Sequence, residues 1–300
     1  MTAPAAAFKD ITFTVRDGLR LYARHYPAAA RSHRRPVLCL AGLTRNSRDF
    51  HRLALSLAQH PSAPRDVYTL DTRGRGNSEY DKDWKNYTVL NEMQDVLDFM
   101  SMMDLAHCGI VGTSRGGLIS MVLGAAQPTR IGAVVLNDIG PVIDMQGLIR
   151  IAGYVGRTPV PKSWGDAARV VRQLSERDFP NLTEADADAF ARQLFNEKNG
   201  KPVAGYDAKI ARGFSVLDGP MPALWPQFAT LKRVPVLVIR GANSDLLTEA
   251  TVAEMIKRHP DCTSYTVANE GHAPLLWDSG SQGAIASFFA KADTRAHAEA

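Results

Sequence analysis

Short apolar runs alternate with amphipathic stretches along most of this chain. Pro36–Leu40, Asp66–Asp71, Cys108–Val111 and Ala133–Asn137 are apolar without strict alternation, which is the pattern of parallel strands covered on both faces. Between them, Asp49–Gln59, Asn91–Met103 and Gly116–Ala126 have helical character. Ile11–Arg16 and Leu21–Tyr26, joined through Asp17-Gly18, predict an opening hairpin. After a long interval the alternation resumes with a strand at Val234–Arg240, a helix at Glu249–Arg258, a strand at Thr263–Val267 and a helix at Gln282–Lys291. Such a series predicts an α/β fold with a mostly parallel sheet and helices on both faces.

The interval breaks that rhythm. It has helical signals at Trp164–Ser175 and Thr183–Phe195 and no convincing strand. The expected organisation is therefore a core of residues 1–140 and 233–300 interrupted by a helical lid, 141–232.

Composition narrows the classes. With 300 residues, 45% of them hydrophobic, the chain can bury a large core, and 22% charged residues argue against wholesale disorder. The net charge of +4 is mild, and no Lys/Arg run with interleaved aromatics appears, so no nucleic-acid partner is expected. Cys39, Cys108 and Cys262 fall at predicted strands and form no C-x-x-C pair, which suits buried thiols in a reducing compartment. No secretory leader and no membrane-length apolar run are visible, so a cytoplasmic protein without a membrane partner is expected. Monomer and homodimer both remain open.

Candidate chemistry centres on Gly112-Thr113-Ser114-Arg115-Gly116, a G-x-S-x-G motif between a predicted strand and a predicted helix. A serine on such a turn presents its hydroxyl outward. It needs a histidine base oriented by a carboxylate. His272, in Glu270-Gly271-His272-Ala273-Pro274, follows a strand, and Asp245 lies in the loop after Val234–Arg240, giving the chain order Ser, acid, His. Ser114, Asp245 and His272 are the expected triad. Asp138, one strand after the serine, is the rival acid. The oxyanion hole should draw backbone N–H groups from Arg115 and from Leu43 in the loop after the third strand.

Three further segments show a resemblance. Asp71-Thr72-Arg73-Gly74-Arg75-Gly76-Asn77-Ser78, Ala41-Gly42 with Phe50, and the Gly241–Asp245 and Gly271-His272 loops are similar to motifs of the α/β-hydrolases, in particular the lidded esterase, lactonase and carbon–carbon hydrolase group. Two positions depart from it: Ala41 stands where the family usually has histidine, and Arg115 follows the serine. The resemblance implies an eight-stranded, mostly parallel sheet with the lid between its sixth and seventh strands. It also implies cofactor-free hydrolysis of a small-molecule ester or lactone, with cleavage of a carbon–carbon bond in a keto-acid as the alternative and a non-catalytic ligand receptor as a remote one. No metal ligation is expected. Arg45, Arg48 and Arg115 lie in or beside loops expected near the serine, and one of them is a candidate clamp for a substrate carboxylate. Arg45, Trp164 and Trp225 are the expected substrate contacts, with Met145, Tyr154 and Phe214 as further apolar lid residues.

Overall fold

The computed structural model describes residues 7–157, 159–213 and 222–298. An eight-stranded sheet has the order β1 (Lys9–Thr14), β2 (Arg20–Tyr26), β4 (Val67–Asp71), β3 (Val37–Leu40), β5 (Cys108–Thr113), β6 (Ile131–Asn137), β9 (Val236–Gly241), β10 (Cys262–Val267). The β1–β2 and β2–β4 pairs are antiparallel, and all the others are parallel.

Apolar residues alternate between the two faces of this sheet. Leu38, Leu40, Val134 and Leu136 pack on one side with α2 (Val89–Met102) and α3 (Arg115–Ala126). Val37, Cys39, Ala133 and Val135 pack on the other with α1 (His51–Ala58) and α9 (Ser279–Ala298). Burial on both faces is why these strands read as unbroken apolar runs. All three cysteines are free and buried.

Between β6 and β9 the chain leaves the sheet. It forms α4 (Met145–Tyr154), α5 (Trp164–Ser175), α6 (Glu184–Leu194), a hairpin of β7 (Asn196–Lys198) and β8 (Lys201–Val203), and α7 (Trp225–Thr230). The expectation of no strand here is corrected by the hairpin, whose strands have three residues each and pair outside the large sheet. The helices α5 and α6 bury a small core of their own, Ala167, Val171, Phe179, Phe190 and Ala191. Thr183 opens α6 with a capping box closed by Asp186, as its Thr-Glu-Ala-Asp sequence predicts. The helix α8 (Glu249–Arg258) then bridges β9 and β10. No helix among the described residues is long and apolar enough to cross a membrane.

Candidate active site

Ser114 occupies the turn between β5 and α3 with φ 50° and ψ −114°, a conformation uncommon for a side chain other than glycine. The turn closes only because its neighbours are small. A Cβ on Gly112 would sit 2.6 Å from the Gly116 carbonyl oxygen, and one on Gly116 would sit 2.0 Å from that of Leu40. The Ser114 amide donates to the Asn137 carbonyl at 3.0 Å, which ties the turn to the end of β6.

His272 reaches this serine from the loop after β10. Its Nε2 lies 2.9 Å from Ser114 Oγ and its Nδ1 lies 2.8 Å from Asp138 Oδ2. The loop is anchored on both flanks of the histidine. Asn137 Nδ2 donates to the Pro274 carbonyl at 2.9 Å, and the Leu275 amide donates to Glu270 Oε2 at 2.7 Å. Gly241 is required where this loop crosses the one after β9, because a Cβ there would meet the carbonyl oxygens of Glu270 and Gly271 at 2.5 and 2.6 Å.

The carboxylate on the histidine is therefore Asp138, and the expectation for Asp245 is corrected. Asp138 follows β6 directly, in a left-handed conformation (φ 55°), and is fully buried. Besides His272 it accepts from the Gly241 amide at 2.8 Å and the Ser244 hydroxyl at 2.5 Å. Asp245 belongs to the loop past β9, one strand further from the serine. Arg150 of α4 holds its carboxylate through Nε at 2.7 Å and Nη2 at 2.8 Å, and Arg177 lies at 3.5 Å. The Arg150 fork holds the Asp245 carboxyl below its usual range. The same arginine pairs with Asp178 at 3.0 Å.

The loop after β3 lies over the serine, since a Cβ on Gly42 would be 3.7 Å from Ser114 Cβ. Gly42 and Leu43 both line a cavity of about 550 Å³ that opens onto Ser114 and His272. Its walls include Ile151, Tyr154, Val171, Phe179 and Phe190 from the segment between β6 and β9.

The expected substrate contacts fare unevenly. Arg45 lines the cavity, yet its fork is filled by Asp49, at 2.7 Å through each of Nε and Nη2. Trp164 is displaced from the cavity: it packs beside the α5–α6 core, with the Arg192 guanidinium over its ring. Trp225 is likewise elsewhere, against Phe228 and beneath Arg258. Tyr154 does line the cavity, Met145 packs on the sheet core, and Phe214 lies outside the described residues. Arg48 is engaged by the Gln193 and Phe195 carbonyls and Asn196, and Arg115 by Glu92 and the Tyr87 carbonyl. Asn137, Ser244 and Glu270 have structural parts here that no motif announced, because each acts through a loop that only folding brings near.

A sheet of this order with a serine turn after its central strand defines a family. The model of the alpha/beta hydrolase fold matches residues 35–279, and the chain belongs to that family and is a hydrolase. It is 31% identical over 269 residues to a 3-hydroxybutyrate-oligomer hydrolase of Cupriavidus necator, covering 85% of this chain and 88% of that one. It is 26% identical to 3-oxoadipate enol-lactonase 1 of Acinetobacter baylyi, over 69% of this chain and 71% of the other. Among solved structures, an alpha/beta hydrolase from Novosphingobium aromaticivorans superposes with a TM-score of 0.88 at 37% identity, covering 96% of this chain and all of that one.

Proposed function

We propose that this chain is a serine hydrolase of neutral carboxylic esters, with Ser114 as nucleophile, His272 as base, Asp138 as its orienting acid, and residues 141–232 as a lid over the site. The observation that carries the reading is one imidazole hydrogen-bonded to both the Ser114 hydroxyl and the Asp138 carboxylate. With Asp138 accepting at Nδ1, that nitrogen holds the ring proton and Nε2 is free to accept another. As Ser114 Oγ attacks the ester carbonyl, its proton passes to Nε2, and the carbonyl oxygen takes the negative charge. The Leu43 and Arg115 amides are assigned to that oxygen. Collapse expels the alcohol, which takes the proton from Nε2 and leaves an acyl group on Ser114. Water, deprotonated by Nε2, then attacks the acyl carbon. The carboxylic acid departs and Ser114 regains its proton.

The charge inside the cavity favours a neutral substrate. Both arginines that line it, Arg45 and Arg150, are matched by Asp49 and by Asp178 with Asp245. A keto-acid substrate for carbon–carbon cleavage would need an unmatched cation, so the ester reading is preferred over that alternative. The Cupriavidus relative makes short esters of 3-hydroxybutyrate the first substrates to try, with a lactone as the second.

The test is hydrolysis of the methyl ester of 3-hydroxybutyrate dimer, which carries no charge, and of an aryl butyrate by the wild type and by Ser114→Ala. Loss of at least about a thousandfold in kcat, together with loss of labelling by a fluorophosphonate probe, is expected. A Ser114→Ala protein with wild-type turnover would overturn the assignment.

A further inference from the structure

The two amides assigned to the oxyanion come from separate loops, and a single buried carboxylate joins them. Glu92, on α2, is fully buried and accepts from two arginines. Arg75 Nη1 donates to its Oε1 at 2.7 Å, while Arg115 donates to Oε2 through Nε at 2.6 Å and to Oε1 through Nη2 at 3.1 Å. Arg75 also donates through Nε to the Leu43 carbonyl at 2.8 Å. A continuous chain of hydrogen bonds thus runs from the loop over the serine, through Arg75 and Glu92, to the residue after the serine.

That chain reaches the peptide units beside both assigned amides. Leu43 lies between two peptide planes that are each pinned. The Gly42 carbonyl accepts from the Arg45 amide at 3.1 Å, and the Leu43 carbonyl accepts from Arg75. The Leu43 N–H belongs to the same rigid unit as the Gly42 carbonyl, and Arg75 holds the next unit, which limits rotation about Leu43. On the other side, the Arg115 side chain is held by Glu92 and, through Nη2, by the Tyr87 carbonyl at 2.9 Å. Arg75 has no exposed surface.

We propose that Arg75, Glu92 and Arg115 are positioning residues that set the separation and aim of the Leu43 and Arg115 amides as one unit. The inference rests on the serine-hydrolase reading. A buried ion pair is weak evidence of stabilisation, since desolvation offsets its attraction. This one lies on the site's two anion-binding loops, where geometry counts for more than its net energy. The two arginines hold Glu92 in its charged form, below its usual pKa, despite complete burial.

The experiment measures kcat, KM and the affinity of a trifluoromethyl ketone, which adds to the serine hydroxyl and places its own oxyanion in the hole. The proteins are the wild type, Arg75→Met, Arg115→Gln and the double variant, each checked by circular dichroism melting. Each single variant is expected to lower kcat about tenfold, less than outright removal of a donor, with KM within twofold and with an equal loss of ketone affinity. The double variant is expected to be no worse than the poorer single, because both arginines act through the same carboxylate. Singles whose effects multiply, or kcat losses without a matching loss of ketone affinity, overturn the proposal. Arg115 is partly exposed, so should Arg75→Met fail to fold, Arg115→Gln against Arg115→Lys decides. The lysine, which keeps one ion pair to Glu92, is expected to recover most of kcat, and equal activity of both with wild type overturns the proposal. Ser114→Ala separates the two levels: if it retains full turnover the serine reading itself has failed, whereas an inactive Ser114→Ala with unchanged arginine variants sinks only the brace.

Discussion

Asp138 and Asp245 differ in what surrounds their carboxylates. Asp138 receives a backbone N–H, a hydroxyl and the imidazole, while Asp245 receives an arginine fork. Both lie in loops at the carboxyl edge of the sheet, and nothing in either loop's composition separates them. Asp138→Asn is expected to reduce kcat by about ten-thousandfold, since an amide there favours the wrong ring tautomer. Asp245→Asn is expected to cost less than tenfold in kcat and to act on the melting temperature instead. Steady-state kinetics and melting of the two variants check this, and equal kcat losses would return Asp245 to contention. Glu270 offers a second prediction at this scale. Burial pushes its carboxyl up to about 7, with Asp278 adding repulsion and the Leu275 amide pulling the other way. A folded-state pKa above the unfolded value means that the stability it contributes is present at low pH and is lost as pH rises through about 7. Thermal melts from pH 5 to pH 8 should show the wild type losing more stability than Glu270→Gln, which keeps an acceptor for Leu275. Parallel melting curves would show that Glu270 does not titrate there.

At the scale of elements, the strands and the helix after the serine were legible because each is covered on both sides. The predicted Cys108–Val111 and Ala133–Asn137 fall within β5 and β6, and Gly116–Ala126 within α3. Two of the segments missed had little apolar signal. The strands β7 and β8 read Asn-Glu-Lys and Lys-Pro-Val, with no alternation to find. The helix α7 is short, with proline in its first turn, while α4 is apolar but interrupted by Gly147 and Gly153. The meeting of α3 with β3 gives the prediction here. A methyl group on Gly116 would collide with the Leu40 backbone rather than with a flexible side chain. Gly116→Ala should therefore destabilise by about 2–3 kcal/mol and displace the serine turn, lowering kcat. Urea unfolding and ester turnover measure both, and a neutral Gly116→Ala would show that the helix can shift away without cost.

Across the whole molecule, one ion cluster links distant parts. Arg150 of α4 holds Asp178, between α5 and α6, and Asp245, beyond β9. It therefore ties the segment over the cavity to the sheet. Arg150→Met would leave two little-exposed carboxylates without their principal partner, Arg177 remaining at 3.5 Å from Asp245, at a cost of about 3 kcal/mol or more. The loss should be largest near neutral pH and shrink as pH falls, because Asp245 titrates below its usual range when paired. Urea melts at pH 4 and pH 7 test it, and an equal loss at both would remove the ionic explanation. By itself, the sequence determined the sheet, the serine turn and the histidine, since each follows from local patterning: an apolar run, a glycine-flanked serine, a Gly-His after a strand. Only the tertiary structure decided which acid meets the imidazole, which arginines are already paired, and which residues of the segment between β6 and β9 face the cavity. Those outcomes depend on how loops of adjacent strands turn relative to one another, a long-range geometry that no local pattern encodes.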